Sequence, residues 1–292
     1  MKKYLYVLLS VSLLLTGCQS NEANEPTQND IHGALPGKFS IAEKKQIQFS
    51  QGNLQYQGST NTWRFAPHQW TIVGEDNYNI SSSYSGWIDL FGWGTGNNPT
   101  KYTRNDNSYS VFVDWGVNAI DNGGKQPNEW RALTKDEWDY LFFKRPQATT
   151  LFAFGKVHGI NGLILLPDDW VLPEGLTFYS GFRPYTEYGV GAYVSKYTNV
   201  YSEDEWTKME KNGAVFLPKA GYRSGGGPIN GEESPSVGYI NEGEGYWTAS
   251  PAPAEDSGHD LAAYSISMRA DILSLYHNTG RMYGLAVRLV KE

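Results

Sequence analysis

Near the C-terminus, Tyr276, His277, Asn278, Arg281 and Tyr283 lie close together, with Asp271 and Ser274 just before them. Tyr, His, Asn and Arg join flat apolar surface to hydrogen-bonding edges at low entropic cost, the chemistry of an adaptable binding face rather than of a reaction centre. Tyr222 and Arg223 are expected to border the same face, and Trp247 is expected to be core. The bland alternative for any one of these residues is a polar connection whose tyrosines pack locally. Catalytic constellations are harder to find. The histidines His32, His68, His158, His259 and His277 are dispersed and lack metal-ligand spacing, so no metal site is assigned. Asp168-Asp169, Glu232-Glu233 and Glu242 with Glu244 could supply the two carboxylates of a glycosidase or a calcium site, but their turn-rich contexts read as solvated charge. Gly221-Tyr222-Arg223-Ser224-Gly225 has the wrong spacing for a nucleophile elbow. Gly92-Trp93-Gly94-Thr95-Gly96 lacks the lysine and hydroxyl of a phosphate loop.

The elements that must position these residues are mostly strands. Gln46 to Gln57 alternates loosely and turns at Gly58-Ser59-Thr60-Asn61 into Thr62-Trp63-Arg64-Phe65, a hairpin. Thr134-Lys135-Asp136-Glu137 is a capping box followed by Trp138, Leu141 and Phe142, which predicts a helix from Lys135 to about Arg145. Ser202-Glu203-Asp204-Glu205 repeats the device and predicts a second helix to about Lys211. Similar phrases follow the two helices, Asn161 to Pro167 and Asn212 to Pro218, and both read as buried strands stopped by proline, either as an internal repeat or as two like strands. Tyr78 to Gly124 reads as a loop packed around tryptophans, and Ser224 to Gly245 as an exposed insertion. At the end, Tyr264 to Met268 and Gly284 to Val290 alternate as strands expected to pair, with Arg269 to Tyr283 turning between them.

The N-terminus runs Met1-Lys2-Lys3, an apolar stretch from Tyr4 to Leu15, then Thr16-Gly17-Cys18, the pattern of a signal peptide over residues 1–17. The apolar stretch is shorter than the ~20 residues of a spanning helix. Leu15-Thr16-Gly17-Cys18 resembles the bacterial lipobox, which implies lipidation of Cys18 and anchoring rather than spanning. The expected location is the outer membrane, at the cell surface, with a periplasm-facing anchor as the alternative. Residues 18–37, rich in Asn, Glu, Gln, Pro and Thr, read as a flexible tether, and 38–292 as one folded domain. Cys18 is the only cysteine, so this domain has no cysteine left for disulfides, metal ligation or nucleophilic chemistry. Loss of Lys2 and Lys3 takes 24 basic against 31 acidic residues to 22 against 31, a net charge of −9 that argues against nucleic acid as partner.

Trp130-Arg131-Ala132-Leu133-Thr134-Lys135-Asp136-Glu137-Trp138-Asp139-Tyr140 resembles the W-R-L-P-T-x-x-E-W-E-Y opening helix of formylglycine-generating and related C-type-lectin-like domains. Gly221-Tyr222-Arg223, Tyr246-Trp247-Thr248-Ala249-Ser250 and Gly284 to Val290 resemble the closing half of that fold, and the ensemble is similar to surface lipoproteins of the Bacteroidetes type. The resemblance covers about Lys38 to Glu292. It implies an α+β, C-type-lectin-like fold of two short helices, antiparallel strands and long irregular loops. Its relatives include the variable proteins of diversity-generating retroelements, whose last strands display a binding face. The paired cysteines of formylglycine-generating enzymes are missing, so that activity is not expected. Gln126-Pro127-Asn128 resembles the sugar-holding motif of calcium-dependent lectins, but it precedes the first helix and reads as a turn, leaving calcium unassigned and no cofactor expected. The expected function is non-enzymatic recognition of a glycan or surface protein. The alternatives are a structural or adhesion component with its tyrosines buried between subunits, and a carboxylate-based glycan hydrolase.

Overall fold

The computed structural model describes residues 32–180, 184–185, 191–193, 198–224, 228–229, 232–233, 235–253, 260–269 and 272–292. The signal peptide, Cys18, most of the tether, His259 and Asp271 lie outside the described residues. The described architecture is mixed α+β, dominated by short strands in several small sheets, with two short helices.

Both capping boxes form. Thr134 Oγ1 accepts from Glu137 N at 3.2 Å while Glu137 Oε2 accepts from Thr134 N at 2.9 Å, and Ser202 and Glu205 reproduce the exchange at 3.3 and 2.8 Å. The reciprocal bonds satisfy two backbone donors that a helix start otherwise leaves unpaired. The second helix, Glu203–Lys211, has the expected extent. The first is α-helical only over Lys135–Asp139 and widens into a π turn over Tyr140–Lys144. Arg145 ends it: this buried guanidinium donates to the carbonyls of Leu141 and Leu166 at 2.7 and 3.0 Å and pairs with Asp168 at 3.0 Å. Asp168, expected as solvated charge, is therefore a structural anchor. Glu137 also takes a bidentate grip from Arg131, at 2.8 Å on each oxygen. Removing the cap hydroxyl with Thr134→Ala should lower unfolding free energy by about 1 kcal/mol, read as a shifted urea midpoint with unchanged slope.

The hairpin Leu54–Gln57 with Thr62–Phe65 forms in the expected register. The two similar phrases after the helices lie side by side: Val215–Pro218 pairs antiparallel with Ile160–Leu165, which pairs in turn with Phe152–Val157. The tether is shorter than expected, because Ala34 bridges Ser50 and Leu35 is already buried in the core. The loop from Tyr78 to Gly124 packs around tryptophans, with Trp93 and Trp115 buried. At Gln126-Pro127-Asn128 the chain turns, Asn128 adopting φ 64° and donating its N–H to Gly116 O at 2.7 Å.

Two expectations about the C-terminus are overturned. Residues 269–283 are not a connection: Ile272–Gly280 is a strand, antiparallel to Ala262–Arg269, which also pairs with Gly245–Ala252. Gly284 to Val290 does not pair with Tyr264 to Met268. It threads the middle of the domain, exchanging backbone hydrogen bonds with Arg223, Phe91 and Arg131, donating from Ala286 to Gly245, and accepting from Trp247, Leu54 and Ser50. Leu285, Val287 and Leu289 face one buried cluster, with Trp63, Trp115 and Trp247, while Ala286 and Val290 face another, with Phe49, Trp138 and Phe142. This segment is thus the partition between two of the three buried clusters of the core.

Candidate functional site

A concavity of about 330 Å³ opens where the two long C-terminal strands meet the loop before Gly245. Its floor follows from a β-bulge. Ser265 stands opposite His277 and Ser267 opposite Ser274, so Leu275 and Tyr276 together face Ile266. An extra residue on one strand shifts the alternation beyond it. His277 and Thr279 therefore share a side, with His277 Nδ1 and Thr279 Oγ1 at 3.0 Å and Thr279 Oγ1 2.8 Å from Ser265 Oγ. Burial, aided by the Arg269 charge and opposed by Glu244, pushes the His277 pKa below its ordinary value, so its imidazole is neutral at pH 7.

One wall is a loop in unusual backbone conformation. Tyr239, Asn241 and Glu244 adopt φ of 54°, 60° and 57°, the left-handed region that side chains disfavour. The loop is held by Asn161, whose backbone N–H and side-chain amide donate to Asn241 at 2.6 and 2.8 Å. Strain maintained by such contacts places side chains where a relaxed turn would not. Here it delivers Glu244, which is nearly buried, to Arg269, with Nε to Oε1 at 3.0 Å. The Arg269 guanidinium lies 4.7 Å from the centre of the Tyr239 ring. Tyr222 is 5.7 Å from Tyr239 and 6.0 Å from Tyr283, completing an aromatic arc.

The structure sorts the residues expected in the binding face. Tyr222, His277, Asn278 and Tyr283 line the concavity. Arg223 does not: it is buried behind it, its side chain against Gly284 and one Nη donating to Leu90 O at 2.5 Å, and burial lowers its pKa to about 10. Arg281 is also structural, clamping the Ala262 and Tyr109 carbonyls at 2.9 and 3.2 Å and lying 4.1 Å over the Trp93 ring. Tyr276, on the strand side set by the bulge, turns to the first helix, its hydroxyl donating to Asp139 at 3.0 Å; burial and then Asp139 push its pKa up to about 12. Ser274 pairs with Ser267 and Gly191 within the sheet, away from the concavity. Trp247 is core.

Arg269 and Thr279 were missed, and Glu244 was read as solvated. The available signal was Gly243-Glu244-Gly245, a carboxylate between glycines leading directly into a strand. A second hollow, of about 420 Å³, is lined by Trp93, Thr95, Asn97, Asn98 and Lys101 among others, but its lysine already donates to Ser108 O and it contains none of the expected binding residues. Among the described residues no group of three or more His, Cys, Asp or Glu side chains is disposed to hold a metal, and no helix is long and apolar enough to cross a membrane. Comparison with protein-family models, curated proteins and solved structures finds no match for this chain.

Proposed function

We propose that this protein is a lipid-anchored outer-membrane lipoprotein that binds a ligand at the cell surface without transforming it, through a C-type-lectin-like domain. The fold reading is supported by the two capped helices, the antiparallel strands and the long tryptophan-packed loops, together with the closing phrases around Tyr246 and Gly284. The observation that carries the functional reading is the concavity. Four of the expected binding residues converge there with a strained loop that presents an ion pair and an aromatic arc. Preformed concave sites with a few oriented polar groups are what ligand binding uses. The hydrolase alternative requires two carboxylates facing each other, whereas the described lining contains Glu244, which is paired with Arg269.

The test is a screen of glycans and surface proteins against the whole protein, followed by Tyr283→Ala. With the melting temperature monitored to confirm folding, the variant should lose at least about tenfold in affinity for whatever binds, equivalent to about 1.4 kcal/mol. A ligand whose affinity is unchanged by Tyr283→Ala would place the binding face elsewhere.

A further inference from the structure

Resting on the reading of this concavity as the ligand site, we infer that it takes an uncharged saccharide ring, held without a metal ion. The first argument is charge. Glu244 and Arg269 neutralise each other across 3.0 Å, and Glu244 is nearly buried. An anionic ligand competing for the half-exposed Arg269 would take it from a carboxylate that is nearly buried, which is costly, and a cationic one would meet the Arg269 charge. A neutral ligand leaves the pair intact.

The second argument is hydrogen-bonding capacity. Arg269 commits Nε to Glu244, leaving donors on both Nη atoms, and the Glu244 carboxylate accepts at more than one lone pair. Donor and acceptor edges therefore stand side by side. A vicinal diol matches this arrangement, because each hydroxyl both donates and accepts, and a charge-assisted bond to either group is strong. His277, kept neutral by burial, adds no opposing charge.

Shape supplies the third argument. The rings of Tyr222 and Tyr283, with centres 6.0 Å apart and tilted by 54°, form a concave aromatic wall against which the C–H face of a pyranose can lie. The volume of about 330 Å³ is at the small end of ligand pockets, suited to a single sugar unit rather than a folded epitope. A bound cation does not fit the donor set: among the described lining residues the carboxylate is Glu244, and it is already spent on Arg269.

The experiment probes the full chain on an array of neutral oligosaccharides, sialylated and uronic-acid oligosaccharides, and peptides, in buffer with calcium and in buffer with a chelator. Neutral oligosaccharides should bind, and Tyr283→Ala and Glu244→Gln should each weaken that binding about tenfold or more in protein that melts as the wild type does. Glu244→Gln should in addition shift preference toward acidic sugars, because it frees the Arg269 charge. Binding confined to acidic sugars or peptides, yet sensitive to Tyr283→Ala, overturns the uncharged-saccharide assignment and leaves the ligand site standing. Neutral-sugar binding indifferent to both substitutions overturns the site itself. Neutral-sugar binding abolished by the chelator overturns the metal-free mode, and no sugar of either kind bound at all overturns the saccharide class.

Discussion

Trp247→Ala should cost about 3–5 kcal/mol of folding free energy, the range for deleting a large buried aromatic side chain. Trp247 is buried in the cluster that also holds Trp63, Trp93 and Trp115, on one side of the central segment. Its indole Nε1 donates to the Phe91 carbonyl at 2.6 Å and its backbone N–H to Ala286 O at 3.1 Å. Alanine removes the apolar contact, leaves a void that the surrounding rings cannot close, and strands the Phe91 carbonyl without its side-chain donor. At roughly 2–4 °C per kcal/mol for a domain of this size, the melting temperature should fall by about 6–20 °C. Trp247→Phe should lose less, since it keeps a ring in place and forfeits the indole donor and part of the volume. If thermal melts put Trp247→Ala within 1 kcal/mol of the wild type, the residue is not the joint between the Phe91 loop and the central segment that the structure makes it.

The second large effect concerns pH. Asp89 is fully buried, and burial pushes its carboxyl up from 3.8 to about 6 against the hydrogen bonds that favour its charge. Its oxygens accept from Val73 N at 3.0 Å and Asn77 Nδ2 at 2.8 Å, while Asn77 Oδ1 accepts from Asp89 N at 2.8 Å and Leu90 N at 2.9 Å. Because the folded pKa lies above the unfolded one, the native state binds the proton more tightly between pH 3.8 and about 6. The contribution of Asp89 to stability is therefore fully present below pH 3.8 and is lost as pH rises through about 6. At about 1.36 kcal/mol for each unit of difference, the loss between pH 4 and pH 7 comes to about 2–3 kcal/mol. Asp89→Asn does not titrate, so its stability relative to the wild type should improve by that amount over the same range, even though its amide places a donor against Val73 N or Asn77 Nδ2. Urea unfolding of both proteins across pH 4 to 7 reads the difference directly. A constant gap between the two curves would mean that the buried carboxyl titrates as it does in the unfolded chain.

What the sequence made legible was local. Both helix starts could be read because Thr134 with Glu137, and Ser202 with Glu205, meet within a single turn and depend on nothing distant. The Leu54–Gln57 hairpin was readable for the same reason, its strands being joined by a short turn. The Ile272–Gly280 strand was not. Its bulge at Leu275 and Tyr276 breaks the two-residue period by which a strand is recognised, and polar residues then fall on both of its faces. Gly284 to Val290 carried a clear strand pattern whose partners were invisible, since alternation states which side is buried and not what buries it. The candidate site was legible in part. Tyr222, His277, Asn278 and Tyr283 were singled out by type, but Arg223, Arg281 and Tyr276 are of the same types and serve packing. Glu244 was hidden because its role depends on the left-handed backbone that brings it to Arg269, a conformation no residue type announces on its own.

The central segment also bears on when the protein can become itself. Residues 284–290 follow almost all of the segments they join, and Val290–Lys291 closes on Lys45–Phe49, near the beginning of the domain. At synthesis rates of about 5–20 residues per second, making the chain between Lys45 and Gly284 takes on the order of ten seconds to a minute, during which the early strands lack the partner that joins them to the rest. Contacts between distant ends are slow to form in any case. A polypeptide built this way cannot complete its core until that segment has been made, so its early strands stay open for most of the domain's synthesis.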